Sequence, residues 1–164
     1  KAAQDSGISQ ELFERADERP SSSFLYTLSI GAAPAFASYD DYLTDDKLFV
    51  FQSNTIRELA KQGPCVFIGR CADYVLRQQP GMLSVFIHAP LEQRVLRVAR
   101  LYNIDEDKAR ARIRKTDKTR ANYYNYYADG DWGRADRYDI ALNTGKLPIP
   151  IAAQLLADAA KLVK

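Results

Sequence analysis

Short, uninterrupted apolar runs punctuate this chain, and longer segments with apolar residues every three or four positions separate them. Cys65 to Ile68 and Leu83 to Ile87 lack the alternation of half-exposed strands and suit parallel strands covered on both faces. Tyr138 to Leu142 is a third strand candidate. Ahead of the first run, Leu48, Phe51, Thr55, Ile56 and Leu59 form one helical stripe. Thr44 stands where a cap is needed, Asp45 and Asp46 suit the positive end of the dipole, and Gly63-Pro64 ends the helix. Helical spacing returns over residues 71 to 78, 90 to 102 with Pro90 in the tolerant first turn, 105 to 127, and 150 to 163. Strands alternating with helices predict an α/β fold, a parallel sheet flanked by helices, in a single domain spanning 1–164. Residues 1 to 19 read as two short helical pieces around Ser6-Gly7. Residues 24 to 42, rich in Ala, Ser, Gly and Pro, read as a long ordered loop.

Composition narrows the classes without naming one. With 164 residues, 46% of them hydrophobic and 27% charged, the chain can bury one ordinary core and is not a disordered polymer. The net charge of +2 is too small to indicate nucleic-acid binding, yet it is unevenly spread. Residues 94 to 120 hold ten basic and four acidic side chains, a local +6, so the rest of the chain carries −4. Such a concentration suits a small polyanion or a nucleic acid, and it also suits a solvated helical face. No apolar stretch approaches the roughly 20 residues of a membrane span, and no signal sequence is present. Cys65 and Cys71 read as reduced core thiols of a cytoplasmic protein. The chain opens on Lys1 rather than Met, in what reads as mid-helix, so upstream residues are expected.

Parallel sheets bind ligands beyond the carboxyl ends of their strands. The first such exit reads Ile68-Gly69-Arg70-Cys71-Ala72-Asp73: glycine allows close approach, Arg70 offers a planar fork to a phosphate, and Asp73 accepts from hydroxyl or amino groups. A surface arginine at a helix start has the same appearance. The second cluster lies on the long helix, where Arg110, Arg114, Asp117 and Tyr124 recur at intervals of four, three and seven. Such a face can neutralise a phosphoryl group while the carboxylate holds a hydroxyl, or it can be a helix laced with ion pairs. His88 ends a strand with no metal-ligand spacing around it, which favours a structural role. Tyr123, Tyr124, Tyr126 and Tyr127 encircle their helix, so at least two are packing residues, and Trp132 is expected to anchor a turn.

The stretches DDKLFVFQSNTIRELAKQGPCVFIGRCADYVLR, VFIHAPLEQRVLRV, KTDKTRANYYNYY and RYDIALNTG together resemble the cytidylate-kinase-like family, in that order and over most of the chain. The resemblance implies a P-loop kinase fold with a helical lid, and transfer of the ATP γ-phosphoryl, with Mg2+, to a nucleoside monophosphate. It implies a small-molecule partner, not nucleic acid or membrane. Residue by residue, Arg70 matches the arginine of the family's Gly-Arg-Asp motif, whose aspartate falls at Cys71 here, with Asp73 as the nearby substitute. Asp117 and Arg120 match the pair that meets acceptor ribose and phosphate. Arg110 and Arg114 belong to the lid, which with the following helix covers residues 100–127, and Lys47 stands in for an acceptor-phosphate arginine.

The donor side departs from the family. A Walker-type loop needs G-x-x-x-x-G-K-[ST], and no two of the eight glycines are five apart. The family's first strand and phosphate loop are therefore expected upstream of Lys1. Two other readings stay open on sequence grounds: a P-loop kinase for a different small acceptor, and a non-catalytic nucleotide-binding or regulatory domain.

Overall fold

The computed structural model describes residues 39–163, with side chains from Asp46 onward. The helical pieces read over 1–19 and most of the 24–42 loop lie outside the described residues. The chain divides into two units at Leu76 and Arg77, and each is taken by itself.

In the first unit, helix α1 covers Tyr39–Lys61 and a single turn, α2, covers Ala72–Val75. Thr44, expected as the cap, lies inside α1. No Gly or Pro occurs between Tyr39 and Gln62, so nothing breaks the backbone there. The helix buries Leu48, Gln52, Ser53 and Ile56, so its inward face is more polar than the apolar stripe indicates. The Ser53 hydroxyl is buried without a hydrogen-bond partner.

Cys65 to Ile68, expected as a strand, forms no ladder among the described residues. Val66 and Ile68 are 90% and 92% exposed. Apolar character alone does not make a strand: its backbone N–H and C=O groups need a neighbour to pair with. Cys65 is correspondingly exposed, whereas Cys71 is buried as expected.

In the second unit the other two strand expectations hold. Strand β1 (Val85–His88) and β2 (Ile140–Asn143) pair in parallel, Val85 against Ile140 through His88 against Asn143. On one face Phe86 stacks on Tyr138 at 5.0 Å and meets the Trp132 edge at 5.6 Å. Tyr138 in turn lies 6.4 Å from Tyr124. Gly133 belongs to this arrangement: its φ is +83° and a Cβ would sit 3.1 Å from the Phe86 ring, so a side chain would be both strained and crowded.

A reciprocal clamp holds the start of the two strands. The Asp139 carboxylate accepts from the Ser84 N–H and hydroxyl, both at 2.8 Å, while the Asp139 N–H donates to the Ser84 hydroxyl at 3.0 Å. The backbone N–H of Ser84, then its hydroxyl, hold the Asp139 carboxyl below the usual 3.8. A carboxylate depressed in the folded state adds stability that is full above its unfolded value and is lost as pH falls through the lower folded one. Asp139→Asn is expected to cost about 1 kcal/mol at neutral pH and to flatten the acid limb of the stability profile. Urea midpoints at pH 7 and pH 3 check this; an acid limb identical to wild type would remove Asp139 from it.

Helices α3 (Leu91–Tyr102) and α4 (Glu106–Tyr127) form a packed hairpin. Asn103, at φ 50°, turns the chain out of α3, and Asp105 caps α4 by accepting from the Lys108 N–H at 2.7 Å. Val95, Ala109 and Ile113 form the buried seam, flanked by Leu91, Val98, Ala99 and Ile104. Helix α5 (Ile149–Leu162) closes the chain.

Candidate functional site

The α3–α4 hairpin carries the basic segment, and its ion pairs run between the helices. Arg94 on α3 grips Asp117 on α4 with two parallel bonds, Nη1 to Oδ2 at 2.8 Å and Nη2 to Oδ1 at 2.7 Å. The side chains are 33% and 27% exposed. Such a fork is charge-assisted and fixed in direction. The hydrogen bond to Asp117 holds the Arg94 guanidinium's affinity for its proton above the ordinary value.

Arg110 makes a similar fork with Glu92 in the first turn of α3, at 2.8 and 2.6 Å. Here the Glu92 side chain is 70% exposed, so water screens the pair. The Arg110 hydrogen bond still draws the Glu92 carboxyl below its usual value.

Arg114 and Arg120 are both exposed and have no ion-pair partner among the described residues. Arg120 shares the helix face of the buried Ala109, Ile113 and Tyr124 yet is itself exposed. Of the other basic residues here, Lys108 pairs with Asp105 and Arg112 lies over the Tyr102 ring at 4.0 Å. The face read along α4 is therefore not a ladder of pairs within one helix: its carboxylate and Arg110 are both paired to α3, and Arg114 has no ion-pair partner among the described residues.

Arg70 and Asp73 belong to the first unit. Gly69, Arg70 and Cys71 follow one another at φ of 70°, 57° and 53°, a left-handed turn that ordinary residues seldom adopt. Arg70 follows a run that pairs with no strand among the described residues, which corrects the expected strand exit. Burial, followed by the nearby Asp73 charge, pushes the Cys71 thiol up to about 12, with Arg70 opposing. A neutral, buried thiol thus fills the position where the resemblance places an aspartate. Lys47 is exposed on α1.

The remaining candidates take structural places. The His88 ring stacks 6.1 Å from Phe86, and its carbonyl accepts from the Thr144 N–H and hydroxyl. The Trp132 N–H bonds Asn125 Oδ1 at 2.8 Å, anchoring the turn as expected. Tyr124 is buried, and Tyr123 and Tyr126 both contact Tyr127. Sequence reasoning passed over Arg94 and Glu92. The only signal for them is the short Asn103-Ile104-Asp105 link, which folds two basic helices back on each other.

The chain is 32% identical over 98 residues to a cytidylate kinase of Methanopyrus kandleri, covering 55% of this chain and 51% of the relative. It is 29% identical over 105 residues to a cytidylate kinase of Methanocaldococcus jannaschii, covering 62% and 58%. The chain thus spans about half the length of these curated relatives. A crystal structure of an uncharacterized protein from Eubacterium ventriosum superposes with a TM-score of 0.68 at 31% identity, over 74% of this chain and 77% of that one. The model of the cytidylate kinase-like family matches residues 1–146, which include the whole hairpin and both strands, and the chain belongs to that family.

Proposed function

We propose that this chain supplies the acceptor side of a nucleoside-monophosphate kinase that transfers the ATP γ-phosphoryl. The observation that carries the reading is the α4 face, on which an oriented carboxylate, Asp117, lies one helical turn from two exposed arginines, Arg114 and Arg120, that have no ion-pair partner among the described residues. Asp117 accepts from the acceptor sugar, Arg120 binds its phosphate, and Arg110 and Arg114 act from the lid on the phosphoryl group in transfer. Arg70, Asp73 and Lys47 are further acceptor contacts by family resemblance. Positioning and charge neutralisation carry such a reaction, so no group of unusual pKa is required.

ATP and Mg2+ follow from the family reading. Among the described residues no group of three or more His, Cys, Asp or Glu could hold a metal ion, and the 164 residues contain no Walker loop. These residues do not fit the donor, and the chemistry assigned to them stays with the acceptor. The neutral thiol at Cys71 in place of a carboxylate favours a second reading for specificity, a small acceptor other than cytidylate.

Titration calorimetry with CMP, UMP, AMP and GMP tests the reading. Arg120→Ala and Arg70→Ala are each expected to weaken binding of the preferred nucleotide about tenfold, the scale of one charge-assisted contact. Unchanged affinity in both folded variants would remove these residues from the acceptor site.

A further inference from the structure

We propose that Arg94 is a positioning residue that keeps Asp117 away from the arginines of its own helix, so that Arg114 and Arg120 stay open to an anion. The inference rests on the acceptor reading above, because it needs Arg120 to bind the acceptor phosphate. Asp117 has Arg114 three residues before it and Arg120 three residues after it. Side chains three apart are neighbours on a helix and readily pair. Asp117 nevertheless pairs with neither: both of its oxygens are bound by Arg94, which reaches across from α3, 23 positions earlier in the chain.

The choice follows from geometry and solvent. The Arg94 fork presents two parallel donors in a partly dry seam, next to the buried Val95 and Ile113. Arg114 and Arg120 are both exposed, so a pair with either would be more open to screening by water. Arg94 therefore removes the one carboxylate that would otherwise neutralise the anion-binding arginines. The fork also uses about two of the carboxylate's four or so lone-pair sites, leaving the others for hydroxyl donors. The pair is neutral overall, so it accepts a sugar hydroxyl without repelling the phosphate attached to that sugar.

The test is a mutant cycle read by binding of inorganic phosphate and of the CMP, UMP, AMP and GMP panel, with thermal unfolding followed in parallel. Arg94→Met is expected to weaken phosphate and nucleotide binding about five- to tenfold, although Arg94 touches neither ligand, because Asp117 turns to Arg114 or Arg120. Adding Asp117→Asn to Arg94→Met is expected to restore phosphate binding to near the wild-type value, since the competing carboxylate is gone. A residue needed only for folding would give no such rescue. Arg94→Lys, which keeps the charge but loses the fork, is expected to fall between the two and covers the case in which Arg94→Met does not fold. Wild-type phosphate affinity in folded Arg94→Met, or a double variant no better than the single, would overturn the role of Arg94. Failure of the wild-type chain to bind any of the probes would instead overturn the acceptor reading itself, and the role of Arg94 with it.

Discussion

Ile113→Ala is expected to destabilise the second unit by about 2 to 5 kcal/mol, the range for truncating a large aliphatic side chain in a filled core. Ile113 is 4% exposed and packs with Val95 and Ala109, both fully buried. Ala109 is already the small partner in this seam and cannot extend into the gap. The lost methylenes and the remaining cavity both count. Ile113 also lies one turn from Asp117, so loosening the seam weakens the Arg94 fork beside it. Urea denaturation followed by circular dichroism measures the effect. A loss below about 1 kcal/mol would mean that the hairpin is not packed through Ile113.

The 164-residue chain by itself is expected to transfer no phosphoryl group from ATP to any common nucleoside monophosphate, even where it binds the acceptor. Phosphoryl transfer depends on holding donor and acceptor in line, and much of the rate comes from that alignment. The arginines of α4 can neutralise charge in transfer only when the β- and γ-phosphates are already fixed by a loop that this sequence does not contain. A coupled assay for ADP release, run with each nucleotide and beside a chain extended upstream through a glycine-rich loop, decides the matter. Equal turnover by the two would place the donor site within residues 1–164.

The elements legible in the sequence were those whose signal is local. The helices at 90–102 and 105–127 appear as Leu91–Tyr102 and Glu106–Tyr127, because Pro90, Asp105 and the apolar spacing all act within a turn or two. Strands near 83–88 and 138–143 appear as a parallel pair because each carries a short apolar run, Val85 to Ile87 and Ile140 to Leu142, and finds its pairing neighbour in the other. Cys65 to Ile68 carries the same local signal and forms no strand among the described residues, since pairing depends on a neighbour and not on the run itself. The candidate site shows the same division. Asp117, Arg110 and Arg114 were visible as a face of one helix, but the partners of Asp117 and Arg110 come from another helix, and intervals along one helix carry no information about that. The partial burial that makes the Arg94 fork effective is likewise a product of packing.

The clamp between Ser84 and Asp139 bears on the order in which this unit is expected to assemble. These residues are 55 positions apart, and closing a flexible loop of that length costs roughly 3.5 kcal/mol beyond a constant term. Two four-residue strands offer little to offset that cost on first contact. The intervening α3–α4 hairpin changes the balance, because its contacts are close in sequence and it folds the excursion back on itself, so that the strand ends meet over a much shorter effective loop. Hairpin formation is therefore expected to precede sheet closure. Once closed, the clamp also excludes a slipped pairing. A shift of one residue would separate Asp139 from Ser84 and turn Phe86 away from Tyr138, exchanging the aromatic face of β1 for its aliphatic one.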